Sequence, residues 1–460
     1  MNEEPSDPAE PDQSQGSLLA LALLALVAGA GSGLLTAMFR LALTRADRFR
    51  DALIVRAHDG KLAGLLLVAA LAAAAVAGAA WLVRRFSPYA SGSGIPQVEA
   101  ALSGDLPPAP PRLIPVKFAG GLLAIGAGMA LGREGPSVQM GAVIAEHVGK
   151  AFGRGWPDCR ALLAAGAGAG LAVAFNAPIA GAIFVLEELV RRFDTRIAIA
   201  ALGASSTAIL VARLFLGDAP DFQVTISAQA AAATGPLPYA VAATWPLYVV
   251  MGAVAGLAAA IYNRTLLGAI ALAEWLGRWP VELQAGLIGA AVGILAWFAP
   301  GLVGGGDQIT QRLLSGGAGG ASLTLIPLAF LVRFGLGAIS YAARTPGGLF
   351  APMLVLGAQL GLLCGVLCRL AFPDLDIDPE SFAVVGMAAF FVGVVQAPIT
   401  GIVLVTEMTA AFTTLLPMLG ACFAAMLAAN LVRSAPIYDS LRRHAARQTR
   451  SASNTEGAAG

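Results

Sequence analysis

The chain has 460 residues, 57% of them hydrophobic and 12% charged, with a formal net charge of +1 and a mean hydropathy of +0.75. Soluble domains carry about 25% charged residues, so an ordinary soluble domain is excluded, and so near-neutral a chain offers no basic footprint for nucleic acid. Apolar runs of about 20 residues recur along it and predict on the order of ten or more helical passes, an all-α polytopic membrane protein.

Residues 1–16 are acidic (Glu3, Glu4, Asp7, Glu10, Asp12), rich in Pro and Ser, and lack Lys and Arg. A secretory signal needs a basic start, so the stretch reads as a disordered tail. Apolar runs follow at Leu18–Phe39 and Leu62–Val83, separated by Arg40 to Lys61, where arginines alternate with Asp47, Asp51 and Asp59. Loop charge does not orient that stretch.

Gly92-Ser93-Gly94-Ile95-Pro96 then sets helix-breaking residues inside an apolar region. A second break, Gly132-Arg133-Glu134-Gly135-Pro136, follows a run from Leu113 to Leu131 whose one charge is Lys117. A carboxylate at membrane depth costs about 2.5–3.5 kcal/mol on insertion scales and marks ion or proton pathways. Freed backbone N–H groups at such a break can face an anion. The blander reading is a Glu134–Arg133 pair satisfying itself.

Downstream lie Asn176-Ala177-Pro178-Ile179-Ala180-Gly181, the pair Glu187-Glu188, and apolar runs at Ile197–Leu216, Leu237–Ile261 and Ala285–Val303. A third break, Gly347 to Pro352, contains Gly348-Leu349-Phe350-Ala351-Pro352, and the last long run is Phe382–Thr406. The chain closes with Ala435-Pro436-Ile437-Tyr438 and Arg433, Arg442, Arg443, Arg447 and Arg450. The positive-inside rule puts this end in the cytoplasm. Cys159, Cys364, Cys368 and Cys422 lie in or beside apolar runs and read as buried free thiols. They have no accompanying His or carboxylate cluster, and His58, His147 and His444 are scattered, so no metal site or other cofactor is expected.

The chain also resembles itself. Asn176 to Gly181 matches Gln396 to Gly401, and the match continues from Glu187 to Glu407. Pro136 and Gly141-Ala142 match Pro352 and Gly357-Ala358; Lys117 matches Arg333; Gly92-x-Gly94 matches Gly304-x-Gly306; Leu102-Ser103-Gly104 matches Leu314-Ser315-Gly316. The expected division is a tail at 1–16, repeats at 17–216 and 217–434, and a terminal segment at 435–460. Duplicated membrane folds build their binding site from broken helices where repeats meet. Helix N-termini converging there would hold an anion without a full cation that would bind it too tightly to release. Glu187 recurs as Glu407 and so braces both halves. Glu188 faces Met408, Glu134 faces Phe350 and Ser93 faces Gly305, which marks these three for asymmetric work.

The three breaks resemble the anion-pathway signatures of the CLC chloride channel and transporter family, and the similarity runs from about Leu18 to Tyr438. That resemblance implies a homodimer, each subunit having two inverted-topology repeats of short, tilted, broken helices and its own anion pathway. It implies that the Ser93 and Tyr438 hydroxyls hold a central chloride from the cytoplasmic side and backbone amides near Leu349 and Phe350 from the other. Glu134 would be the external gate, its carboxylate competing with chloride for one site. Burial disfavours the ionised carboxylate and the helix termini favour it, a balance suited to coupling protons to anions.

Within the family, Glu188 points to an exchanger that passes protons to the cytoplasm; channels carry a non-acidic residue there. Its blander role is a solvated helix-end carboxylate paired with Arg192 at i+4. Ser93 goes with chloride over nitrate, although bromide and nitrate are expected to permeate. The expected protein is a proton–chloride exchanger in a bacterial plasma membrane, with lipid as its surroundings and no regulatory domains. A passive voltage- or pH-gated channel of the family, or another inverted-repeat transporter, are the alternatives. No catalytic set or phosphate loop suggests an enzyme.

Overall fold

The computed structural model describes residues 15–224, 239–277, 279–315 and 325–444. The acidic stretch through residue 14, and the basic end with Arg447 and Arg450, lie outside the described residues.

Backbone in a bilayer must satisfy its hydrogen bonds within the segment, and the chain does so with helices. In chain order these are α1 (Gln15–Ala57), α2 (Lys61–Phe86), α3 (Ile95–Ser103), α4 (Leu113–Gly126), α5 (Glu134–Ala151), α6 (Trp156–Phe175), α7 (Pro178–Phe184, running into a π turn at Val185–Leu189) and α8 (Thr195–Leu216). Then come α9 (Tyr239–Trp275), α10 (Val281–Phe298), α11 (Asp307–Leu314), α12 (Leu325–Ala342), α13 (Phe350–Ala371), α14 (Pro379–Val395), α15 (Pro398–Thr409), α16 (Leu415–Leu431) and a short α17 over 437–444.

Among the described residues, eight segments are long and apolar enough to cross a membrane, the first containing both α1 and α2, while α4, α14 and α15 are shorter apolar helices. Phe382–Thr406, one run in sequence, is two helices, because Gln396 ends α14 in the left-handed region at φ 65° and Pro398 starts α15. Asn176 ends α6 the same way at φ 50°, and Pro178 starts α7.

Helix order repeats: α1–α8 and α9–α16 pack in the same pattern, α1 on α8 as α9 on α16, and α5 on α6 as α13 on α14. The last two crossings are made by glycine. A Cβ on Gly141 would strike the Gly166 carbonyl oxygen and one on Gly357 the Gly386 carbonyl oxygen, so any larger residue would force the helices apart.

The matched carboxylates exchange caps between the halves. Glu187 accepts from the N–H groups of Ile399 (3.0 Å) and Thr400 (2.6 Å) at the start of α15. Glu407 accepts from Ile179 (3.1 Å) and Ala180 (2.8 Å) at the start of α7. Each satisfies orphan donors of a first turn and faces its positive dipole end. All four cysteines are free; Cys159 and Cys422 are buried, but Cys364 and Cys368 are only half-buried, since α13 turns that face outward.

Candidate transport site

Three helices begin where the three breaks meet. Gly92 has φ 63° and Gly94 φ 91°, and this left-handed turn, open to glycine at little cost, brings the chain into α3. Gly92 N–H donates to the Thr345 carbonyl (3.2 Å) and Gly347 N–H to the Gly92 carbonyl (3.1 Å). Gly132 and Gly348 exchange hydrogen bonds, Gly132 N–H to Gly348 O at 2.9 Å and Gly348 N–H to Gly132 O at 2.7 Å. Two single β-bridges thus fasten all three signatures together.

Two buried cations brace this junction at matched positions. The Lys117 ammonium donates to the carbonyls of Ala90 (3.0 Å) and Gly92 (2.8 Å). The Arg333 guanidinium donates to those of Leu302 (3.1 Å), Gly304 (2.6 Å) and Gly305 (3.0 Å). Each cation holds the glycine loop that leads into a short helix, α3 or α11.

Glu134 opens α5 and is fully buried. Its Oε1 accepts the Phe350 N–H at 2.7 Å, and the N–H groups of Ala351 and of Glu134 itself also act on the carboxylate. Oε2 has no protein partner. Gly132 and Gly348 leave the space for this carboxylate: a Cβ on either would collide with it. The amide expected to face an anion, that of Phe350, thus faces the Glu134 carboxylate, with Leu349, also buried, capping α13 beside it. The Phe350 ring is held by Phe391 (stacked, 4.8 Å), Phe184 (5.8 Å) and Tyr438 (5.9 Å).

Near the carboxylate, Ser93 and Tyr438 are buried with their side chains close enough to interact weakly, and neither hydroxyl makes a well-formed hydrogen bond among the described residues. Gly135 packs on this turn, where a Cβ would meet the Ser93 carbonyl oxygen at 2.5 Å and its hydroxyl at 2.6 Å. Tyr341, unremarked in the sequence, accepts the Ser93 N–H through its hydroxyl at 3.4 Å. Buried hydroxyl donors without a protein acceptor suit an anion between them.

Arg133 does not pair with Glu134. Its guanidinium turns away to Asp307 (2.9 Å) and Asp221 (3.0 Å), and its Nε donates to the Ala174 carbonyl. Asp221 also takes Arg40 at 2.7 Å. This cluster gathers at the C-terminal end of α6, where Arg40 bonds the Val173 carbonyl. At the other end Arg160 bonds the Leu102 carbonyl, and Asp158 takes Arg154 and Arg196. Twenty helical residues separate the ends, about 30 Å. Arg191 and Arg442 both reach Glu99 on α3, close to the Leu102 end of this helix.

Glu188 sits in the π turn at 4% exposure, on an open cavity of about 590 Å³ shared with Glu187, Arg191, Arg192, Gln396 and Pro436. Its ion-pair partner is Arg191 (3.4 Å), and not Arg192 at i+4. The π turn and the left-handed Arg191 (φ 55°) break the helical period on which the i+4 expectation rests.

The site can be compared with known proteins. The family described as "Voltage gated chloride channel" matches residues 72–430. The H(+)/Cl(-) exchange transporter ClcA of Vibrio cholerae serotype O1 is 37% identical over 429 residues, 91% of this chain and 88% of that protein. The transporter of that name from Cronobacter sakazakii is 38% identical over 436 residues, 92% of this chain and 89% of that one. A crystal structure of a slow cyanobacterial Cl-/H+ antiporter superposes with a TM-score of 0.85 at 32% identity, covering 92% of this chain and 97% of that one.

Proposed function

The chain belongs to the voltage-gated chloride channel (CLC) family, and from that premise we propose that it exchanges chloride for protons across the membrane. It is a multi-pass integral membrane protein of two inverted repeats. The reading is carried by one observation: the buried Glu134 carboxylate takes the Phe350 N–H near two buried hydroxyls that make no well-formed hydrogen bond among the described residues.

Glu134 is assigned as the external gate. Ionised, its carboxylate fills the amide-lined position; protonated, it no longer matches N–H donors there and yields the position to chloride. Ser93 and Tyr438 are assigned as inner donors to the central chloride, with the Leu349–Phe350 backbone as the outer donors. Glu188, at the cytoplasmic cavity, is assigned the inner proton transfer. A channel of the same family is the second reading, and the acidic Glu188 on that cavity favours the exchanger over it. A homodimer in a bacterial plasma membrane, bathed in lipid, completes the proposal; the exposed Ile179 and Ile399, beside the exchanged caps, offer an apolar face for a second copy.

The test is the reversal potential of the purified protein in vesicles under combined chloride and pH gradients. An exchanger reverses away from the chloride equilibrium potential and shifts with pH. A reversal pinned at the chloride potential would establish the passive reading.

A further inference from the structure

Arg191 contacts the inner carboxylate Glu188 together with Asp439 and Glu99, one from each segment that carries an inner hydroxyl. Its Nη1 bonds Asp439 Oδ2 at 3.0 Å and its Nη2 lies 2.8 Å from Asp439 Oδ1. The same Nη2 is 3.4 Å from Glu188 and 3.3 Å from Glu99, and Nε donates to the Glu188 carbonyl at 3.1 Å. Asp439 is the residue after Tyr438. Glu99 lies on α3, the helix that Ser93 leads into, and is also held by Arg442 at 3.3 Å.

One guanidinium therefore joins the segment of each inner hydroxyl to the inner carboxylate. Five charges face one another, the carboxylates Glu99, Glu188 and Asp439 and the guanidinium groups of Arg191 and Arg442, with Arg192 on the adjoining cavity. Arg191 reaches them from a left-handed backbone (φ 55°), a conformation disfavoured for a residue with a Cβ.

We propose that Arg191, tethered by Asp439, is a positioning residue that links the inner anion gate to proton transfer at Glu188. With Asp439 in place, the guanidinium is shared and Glu188 receives only part of it. A movement of the Tyr438 turn that draws Asp439 away leaves Arg191 to Glu188 and Glu99, changing the charge that Glu188 meets. The position of the chloride gate is thereby communicated to the proton carrier without contact between them. The inference rests on the exchange reading.

Reversal potentials of wild type, Asp439→Asn, Asp439→Glu and Arg191→Lys in the same vesicles test it. Asp439→Asn should still carry chloride while protons moved per chloride fall by about twofold or more. Asp439→Glu should restore the ratio, and Arg191→Lys, which keeps the charge but loses the fork, should fall between. A clamp that is merely structural would lower both fluxes together, so a wild-type ratio in Asp439→Asn and Arg191→Lys overturns the proposal. Should Asp439→Asn not fold, Arg191→Lys decides alone by the same ratio. A wild type that moves no protons would instead overturn the exchange reading, and this inference with it.

Discussion

Glu134 hydrogen-bonds its own counterpart in the other half of the chain: its carboxylate accepts the N–H of Phe350, 216 positions on. Gly132 and Gly348, equally spaced, exchange hydrogen bonds beside them. The two halves thus meet at this pair of matched positions, which holds a carboxylate on one side and an aromatic ring on the other.

Glu134→Gln should abolish proton coupling and leave chloride flux. The neutral amide mimics a permanently protonated gate, so the rise of flux toward acid pH, where protons displace the carboxylate from its site, should also flatten. Proton uptake and chloride efflux recorded in the same vesicles check both.

Gly132→Ala should push the gate out without removing it. The added methyl would occupy the space of the Glu134 carboxylate, whose atoms are its nearest neighbours. Coupling should drop in Gly132→Ala, whereas adding the same change to Glu134→Ala should alter flux little; additive losses in that cycle would mean the glycine serves the fold.

Glu188→Gln should stop proton movement, and Glu187→Gln should act through stability. An amide in place of the Glu187 carboxylate turns one of its two acceptors into a donor facing the N–H groups of α15, at a cost of about 1–3 kcal/mol. Thermal melts in detergent separate the two, since only Glu187→Gln should lower the midpoint.

The fold and the site differed in how much the sequence disclosed. The bracing role of Glu187 and Glu407 is legible because duplication prints the same residue twice, and the three breaks because Gly and Pro stand out in apolar runs; that each caps a helix of the other half is not. Arg191–Asp439 and Arg133–Asp221 were not, since their partners lie 248 and 88 residues apart and no local period links them. For Glu188 the local rule misled, naming Arg192 where the chain leaves its helix and offers Arg191. The weak signal available for Asp439 was its place directly after the pathway tyrosine.

Ser93→Ala with Tyr438→Ala should weaken chloride binding. Hydrogen bonds to a charge contribute about 1.5–3 kcal/mol each, so losing even one corresponds to roughly tenfold or more in affinity. Calorimetry in detergent measures it, and an unchanged affinity would move the central site elsewhere.

The tyrosine is carried by α17, which lies after both repeats and has no partner in either. Ser93, Glu134 and Phe350 all precede it in the chain, so synthesis from the N-terminus delivers the frame and its outer gate before the inner stopper exists. Seating this turn fills a socket made by earlier segments, with the Gln396 side chain gripping the Ser434 carbonyl at 2.7 Å and Arg191 meeting Asp439.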